Sequence, residues 1–471
     1  MSTSLTIYPG QSLQGTVSLP GDKSLSHRAA LFAGLAHGVS RVDNFLNAGV
    51  TQAMLVALAA LGIHWEMDGT RLTVYGSGLE GLRSPDGILD CGSSATTLRL
   101  LAGALAAGGV PATLDGSPGL RHRPMSRIIE PLRQMGVVIQ GQDGCAPLVL
   151  GCSERPLRGL NYALAVSSAQ VKSCLLLAAL AADSPTTLSE PGPSRDHTER
   201  MLRSMGVSID SIQPAADAIA PQFLSSQTGS EVHPAAYVTR LIPSHPLNLA
   251  PLNLTLPGDI SSAAFLIVAA LISPGSYIYL QNIGLNPTRI GLIEALAEMG
   301  ADLQMVNLCL QGGEPAGDLV VRASTLHGTR VSGSLVVRMI DEFPAFAVAA
   351  AFAQGRTVVS QAEELRHKES DRITALCTEL RRLGVQVEEA VDGFTIIGRE
   401  CPQGGEVASH GDHRLAMALA LVGLAARQPV TVHGAEVIGE SFPEFGPILA
   451  ALGARLEPAV FLTHQEASKL P

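Results

Sequence analysis

Apolar stretches of helical period recur along the chain, and each ends on the same signature before an alternating, strand-like run begins. The copies are Leu58-Ala-Ala-Leu-Gly62, Leu132-Arg-Gln-Met-Gly136, Leu202-Arg-Ser-Met-Gly206, Leu296-Ala-Glu-Met-Gly300, Leu380-Arg-Arg-Leu-Gly384 and Leu449-Ala-Ala-Leu-Gly453. A glycine directly after the last apolar helical position predicts a helix stop that needs a left-handed backbone. The alternation that follows, as in Val385-Gln-Val-Glu388, predicts a half-buried strand. One helix-glycine-strand step is common in any α/β protein, whereas six copies at spacings of roughly 70–95 residues are a repeat. Three copies precede residue 210 and three follow it.

A second duplication agrees with that division. Leu19-Pro-Gly-Asp-Lys-Ser-Leu-Ser-His-Arg28 returns as Leu256-Pro-Gly-Asp-Ile-Ser-Ser-Ala-Ala-Phe265. Both copies predict a strand end, a Pro-Gly turn and a capped apolar helix. Only the first carries Lys23, His27 and Arg28. Two related halves, cationic in one and apolar in the other, suggest an anion held between them. The expected domains are residues 21–245 and residues 1–20 with 246–471. The connections then lie near 18–22 and 245–257, and a Pro/Ser/Ala/Gln-rich insertion near 211–245 reads as a loose loop. Two crossings at one place make a hinge, and a hinge suggests closure over a ligand.

Composition narrows the class. The chain has 471 residues, 46% of them hydrophobic and 4% aromatic, which is too long for one core and suits two α/β domains. The longest uncharged apolar runs, such as Leu415–Ala426 and Ser173–Ala182, are too short to span a bilayer. The first residues carry neither a basic nor an apolar leader segment, so no membrane association and a cytoplasmic location are expected. Seven cysteines without a Cys-x-x-Cys fit reduced thiols rather than disulfides or zinc. A net charge of -10 argues against nonspecific nucleic-acid binding, so cations for an anionic ligand must be concentrated locally.

They are concentrated where helices begin. Lys23 and Arg28, Arg99, Arg121 to Arg127, Lys172, Arg195 to Arg200, Arg366 to Arg372 and Arg414 each follow a turn or open a predicted helix. Free N–H groups and the helix dipole already favour anions there, so adding cations is unfavourable without a bound anion. Solvated surface charge is the alternative for any single cluster; their number favours recognition of phosphate or carboxylate. Gly21-Asp-Lys-Ser24 is not a phosphate-binding P-loop, because Asp22 separates Gly from Lys. Gly76-Ser-Gly-Leu-Glu-Gly81 matches a dinucleotide fingerprint, but Ser84-Pro-Asp-Gly87 stands where its helix should open.

Taken together, several motifs resemble the EPSP synthase family, in a form similar to its class II members. They are Gly21-Asp-Lys-Ser-Leu-Ser-His-Arg28, Arg121-His-Arg-Pro124, Ser168-Ala-Gln-Val-Lys172, Ser194-Arg-Asp-His-Thr-Glu199 and Met339-Ile-Asp-Glu-Phe-Pro344. Glu364 to Arg372, Gly411-Asp-His-Arg-Leu-Ala-Met417 and Ser441-Phe-Pro-Glu-Phe445 complete the set. The resemblance implies two similar domains, each of three βαβαββ units forming an inside-out α/β barrel, joined by a double-crossover hinge. It implies transfer of the enolpyruvyl group of phosphoenolpyruvate to the 5-hydroxyl of shikimate 3-phosphate, by a monomer using no metal or organic cofactor.

Carried over by motif, Lys23 touches both substrates, while Ser24, Arg28, Ser168, Ala169 and Lys368 serve shikimate 3-phosphate. Gln170 lies between the substrates, and Ala95, Arg123, Arg372 and Arg414 surround phosphoenolpyruvate. Asp341 is the implied base on the 5-hydroxyl and Glu369 the implied acid at the methylene carbon. Read without the resemblance, Asp341-Glu342 is a helix cap and Glu369 an i,i+3 partner of Arg372. The family's Gly-Asn-Ser/Ala-Gly-Thr segment reads Gly92-Ser-Ser-Ala-Thr96 here, and the Ala95 methyl predicts tolerance of the inhibitor glyphosate by crowding. Glu440 stands where many members have Lys. Two alternatives remain: the related UDP-N-acetylglucosamine enolpyruvyltransferase, and a noncatalytic anion-binding protein, which a quenching signal at Trp65 without turnover would support.

Overall fold

A computed structural model describes residues 4–212, 237–398 and 401–458. All six signature glycines take a left-handed backbone, with φ of 88° at Gly62, 92° at Gly136, 96° at Gly206, 89° at Gly300, 83° at Gly384 and 110° at Gly453. Each therefore ends a helix where an L side chain would be strained. The Gly76–Gly81 match runs into a 3-10 turn, Leu79–Gly81, rather than the helix a dinucleotide site requires.

Among the described residues the helices alternate with six four-stranded sheets of one shared plan. In one, Asn253–Thr255 runs parallel to His37–Asp43, which pairs antiparallel with Arg71–Ser77, which pairs antiparallel with His64–Asp68. In the corresponding sheet of the other half, Gln14–Ser18 runs parallel to Tyr277–Gly284, followed by Glu314–Arg322 and Asp302–Gln311. Each half thus takes one strand from the chain just before that chain crosses over. The mixed α/β class expected from the repeat is the class observed.

Apolar packing divides along the same line. One buried cluster gathers Leu25 to Leu256; the other gathers Leu5 to Leu19 with Ile260 to Leu456. Leu249, Leu252 and Leu256 belong to the first, so the return crossing lies at Leu256–Asp259, near the far end of the expected 245–257 connection. Asp22 N–H donates to the Pro257 carbonyl at 2.8 Å, and Asp259 N–H to Pro20 at 3.1 Å. A Cβ on Gly21 would lie 1.9 Å from the Asn44 carbonyl oxygen, so only glycine fits that crossing. Much of the expected insertion, residues 213–236, lies outside the described residues. Its ends are strands, Ser208–Ile212 and Tyr237–Ile242, paired antiparallel with each other. No helix of the described residues is long and apolar enough to cross a membrane.

Candidate functional site

Helix N-termini from both halves open on one cavity of about 370 Å³. Each start is built by a local cap that the sequence supplies. Asp22 accepts the Leu25 N–H at 2.9 Å and begins helix Lys23–Leu35. Ser94 accepts the Thr97 N–H and begins helix Ala95–Gly108. Ser168 begins helix Ala169–Ala179 and Asp412 begins His413–Val422, while Asp371 begins Arg372–Arg382 behind the lining. Caps of this kind satisfy the free N–H groups and point the next side chains into the space ahead.

Of the residues singled out in the sequence, Lys23, Ser24, Arg28, Ala95, Arg123, Ser168, Ala169, Gln170, Asp341, Lys368, Glu369 and Arg414 line this cavity. Arg372 does not. It lies behind the wall, donating from Nη2 to Glu369 at 2.6 Å and from Nε to Asp412 at 2.7 Å, with Asp341 3.5 Å from Nη1. Glu369 is therefore both the i,i+3 partner of Arg372 and a cavity residue. Glu342, not Asp341, occupies the cap position of helix Phe343–Phe352, and its side chain makes no cap hydrogen bond. Trp65 bonds the Leu55 carbonyl and is absent from the cavity lining.

The two carboxylates sit among cations. Asp341 Oδ2 receives Arg195 Nη2 at 2.5 Å, with Arg414 Nη2 at 3.7 Å. Burial pushes the Asp341 carboxyl up, but the guanidiniums of Arg195, Arg414 and Arg372 with Lys368 hold it well below the usual carboxylate range. Glu369 is likewise pushed up by burial and held well below its ordinary value by Arg372, Arg123, His413 and Lys23. Lys23 is lowered by burial first and Arg414 second, against Asp341 and Glu369. Lys368 is lowered to about 8, mainly by burial. His413 is pushed down to about 3 by burial, Lys23 and Arg414, so its imidazole is neutral. Gln170 donates to Thr96 Oγ1 at 2.8 Å and accepts from Arg99, which fixes its amide between helices.

Several cations of the sequence clusters have other work. Lys172 is buried between Glu190 and Glu199, both at 2.7 Å, and Arg121 pairs with Asp115. Arg200 pairs with Asp196, and Arg366 with Asp371 and Glu389. Conversely, Arg195, Arg127, Thr96 and His413 line the cavity without having been assigned roles in it. Arg195 and Arg127 stood in the basic helix-start clusters, which was their signal. Thr96 closes the Gly92–Thr96 segment, and His413 lies in the Gly411–Met417 motif. Arg28, 2% exposed, donates to Thr198, Ser173 and the Ser24 carbonyl, so its guanidinium is anchored before any ligand arrives. Such a cavity can bind two polyanionic groups and supply a carboxylate to each side of them.

A sequence profile of the EPSP synthase family (3-phosphoshikimate 1-carboxyvinyltransferase) matches residues 7–449. The chain is 43% identical over 452 residues to the 3-phosphoshikimate 1-carboxyvinyltransferase of Geobacter metallireducens, covering 96% of this chain and 100% of that one. It is 44% identical over 458 residues to the enzyme of the same name from Acidithiobacillus ferrooxidans, covering 97% and 99%. A solved EPSP synthase structure from Acinetobacter baumannii superposes with a TM-score of 0.82 at 38% identity, covering 97% of this chain and 99% of that one.

Proposed function

The chain belongs to the EPSP synthase family, the 3-phosphoshikimate 1-carboxyvinyltransferases, and we propose that the cavity between its halves is where that transfer occurs. The observation that carries the assignment is the convergence of Lys23, Arg123, Lys368 and Arg414 around Asp341 and Glu369 in one cavity. Phosphoenolpyruvate lies against Lys23, Ala95, Arg123, Gln170 and Arg414, with Arg372 acting from behind Glu369. Shikimate 3-phosphate lies against Ser24, Arg28, Ser168, Ala169, Gln170 and Lys368. Substrate anions offset the cations that depress Asp341 and Glu369, so binding itself restores their proton affinity.

Asp341 then removes the 5-hydroxyl proton as the oxygen bonds to C2 of phosphoenolpyruvate. Glu369, with Lys23 beside it, supplies a proton to C3, which becomes a methyl group. Return of a methyl proton to the Glu369 carboxylate, with expulsion of phosphate from C2, completes the transfer and regenerates the double bond. Lys and Arg stabilise the phosphate charge as it develops. The fold on this reading is two inside-out α/β barrels of three units each, residues 1–20 with the C-terminal part and residues 21 onward to the return crossing. They hinge at the paired Pro-Gly-Asp crossings, and the protein works as a cytoplasmic monomer.

Mixing the protein with phosphoenolpyruvate and shikimate 3-phosphate in metal-free buffer is expected to release inorganic phosphate. UDP-N-acetylglucosamine as acceptor is expected to release none. Release with the sugar nucleotide alone, or with neither acceptor from a folded sample, overturns the assignment. Ala95, 2% exposed at the first position of its helix, crowds a ligand longer than phosphoenolpyruvate, so glyphosate tolerance follows. A low-micromolar inhibition constant for glyphosate, competitive with phosphoenolpyruvate, would contradict it.

A further inference from the structure

Among the described residues, four side-chain contacts between cavity-lining residues join the two halves, and one differs from the others. Arg127 meets Glu364 at 2.9 Å, Arg195 meets Asp341 at 2.5 Å, and Arg123 stands 3.6 Å from Glu369. In each, the first half supplies a guanidinium and the second half a carboxylate. At the fourth, Glu440 of the second half meets a hydroxyl: Ser93 donates to its Oε2 at 3.2 Å. Among the described residues Glu440 forms no ion pair. It is a carboxylate with no ion-pair partner, lining a cavity whose other charges suit an anionic ligand.

A fixed negative charge there repels phosphoenolpyruvate unless it is neutralised. Its surroundings offer little neutralisation. The Lys23 charge acts on it from helix Lys23–Leu35, but those of Glu369 and of Asp412, the cap of helix His413–Val422, oppose it, and the neutral His413 lines the same cavity. Glu440 ends the 3-10 turn Ala435–Glu440, and helix Gly49–Ala60, also packed on this turn, carries no titratable side chain. We propose that Glu440 is a specificity-determining residue of this cavity, held by Ser93 across the halves, and that phosphoenolpyruvate binds with uptake of one proton by its carboxylate. Burial supports this: it raises the Glu440 carboxyl, with Glu369 and Asp412 adding to it against the Ser93 hydrogen bond and Lys23. The proton comes from solvent and returns there when the site empties. A ligand carrying less negative charge at this end needs no such proton and is favoured as pH rises.

The inference rests on the reading of the cavity as the phosphoenolpyruvate site. Its test is the ratio of wild-type to Glu440→Gln KM for phosphoenolpyruvate, measured by phosphate release from pH 5.5 to 8.5. The ratio cancels the ligand's own ionisation, which is common to both proteins. It is expected to lie near one at the acid end and to climb to roughly tenfold at the alkaline end. The same ratio for shikimate 3-phosphate is expected to stay flat. Ser93→Ala removes a hydrogen bond that favours the charged carboxylate, so its rise is expected at higher pH. Glu440→Ala must reproduce the Gln curve, which separates charge from any effect of the new amide. A flat phosphoenolpyruvate ratio, or a higher KM in Glu440→Gln at every pH, overturns the inference. Absence of wild-type turnover would instead overturn the reading of the site.

Discussion

Helices Lys23–Leu35 and Ile260–Ile272 begin alike and serve opposite ends. Each has 13 residues, follows Pro-Gly-Asp and is capped by that aspartate, Asp22 on the Leu25 N–H and Asp259 on the Ser261 N–H. The two caps also share one buried cation, since Arg289 donates to Asp22 at 3.0 Å and stands 3.4 Å from Asp259. Beyond the cap they part. Lys23, Ser24, His27 and Arg28 turn the first helix into a wall of the cavity. Ile260, Ala263, Ala264 and Phe265 bury the second in the core, where the Phe265 ring meets Phe445 edge to face at 6.2 Å. A duplicated start therefore sets backbone direction, and a handful of following side chains decides between chemistry and packing.

Breaking the cationic copy is expected to have the largest effect. Lys23→Met should leave thermal stability near that of the wild type, because burial disfavours the charged Lys23. It should also lower kcat/KM by about 10³-fold or more, roughly 4 kcal/mol. A loss under tenfold would show that the first copy is not the reactive one. Next comes the apolar copy. Phe265→Ala opens a cavity in a residue 1% exposed, with an expected cost of about 3 kcal/mol in denaturant unfolding while kcat per folded molecule is retained. Equal stability would mean the core closes over the gap.

The smallest effect sharpens the contrast by titration. Lys368 is lowered to about 8, chiefly by burial, and a bound phosphate favours its charged form. Below that pH the lysine is already protonated and binding takes up no proton from it. Above it, binding must protonate Lys368, so KM for shikimate 3-phosphate should rise with pH, by up to tenfold per unit. Lys368→Arg, which stays charged, should flatten that rise. A rise that survives in the Arg variant would place the titrating group elsewhere.

Much of this organisation was legible from local pattern. The signature glycines could be placed because a left-handed helix end restricts the residue type. The duplicated Pro-Gly-Asp located both crossings because the turn and cap need those residues in that order. The cations at helix starts marked the cavity because a helix N-terminus disfavours them without an anion. The same rule overreached at Lys172, whose carboxylates Glu190 and Glu199 lie on a neighbouring strand and helix. At Arg372 it does not show depth: that side chain bonds Asp412 behind the cavity lining.

The sequence by itself determined the elements, their sixfold recurrence, the division into halves and the kind of ligand, since each depends on residues within a turn or two of one another. Only the tertiary structure decided which carboxylate meets which cation. Arg195 and Asp341 are 146 positions apart, and Ser93 and Glu440 are 347 apart. Nothing local distinguishes Glu440, which meets a hydroxyl, from Glu364, which meets a guanidinium. Their charge environments follow from how the two halves approach across the cavity, because Coulomb attraction and desolvation depend on distance and burial rather than on separation along the chain.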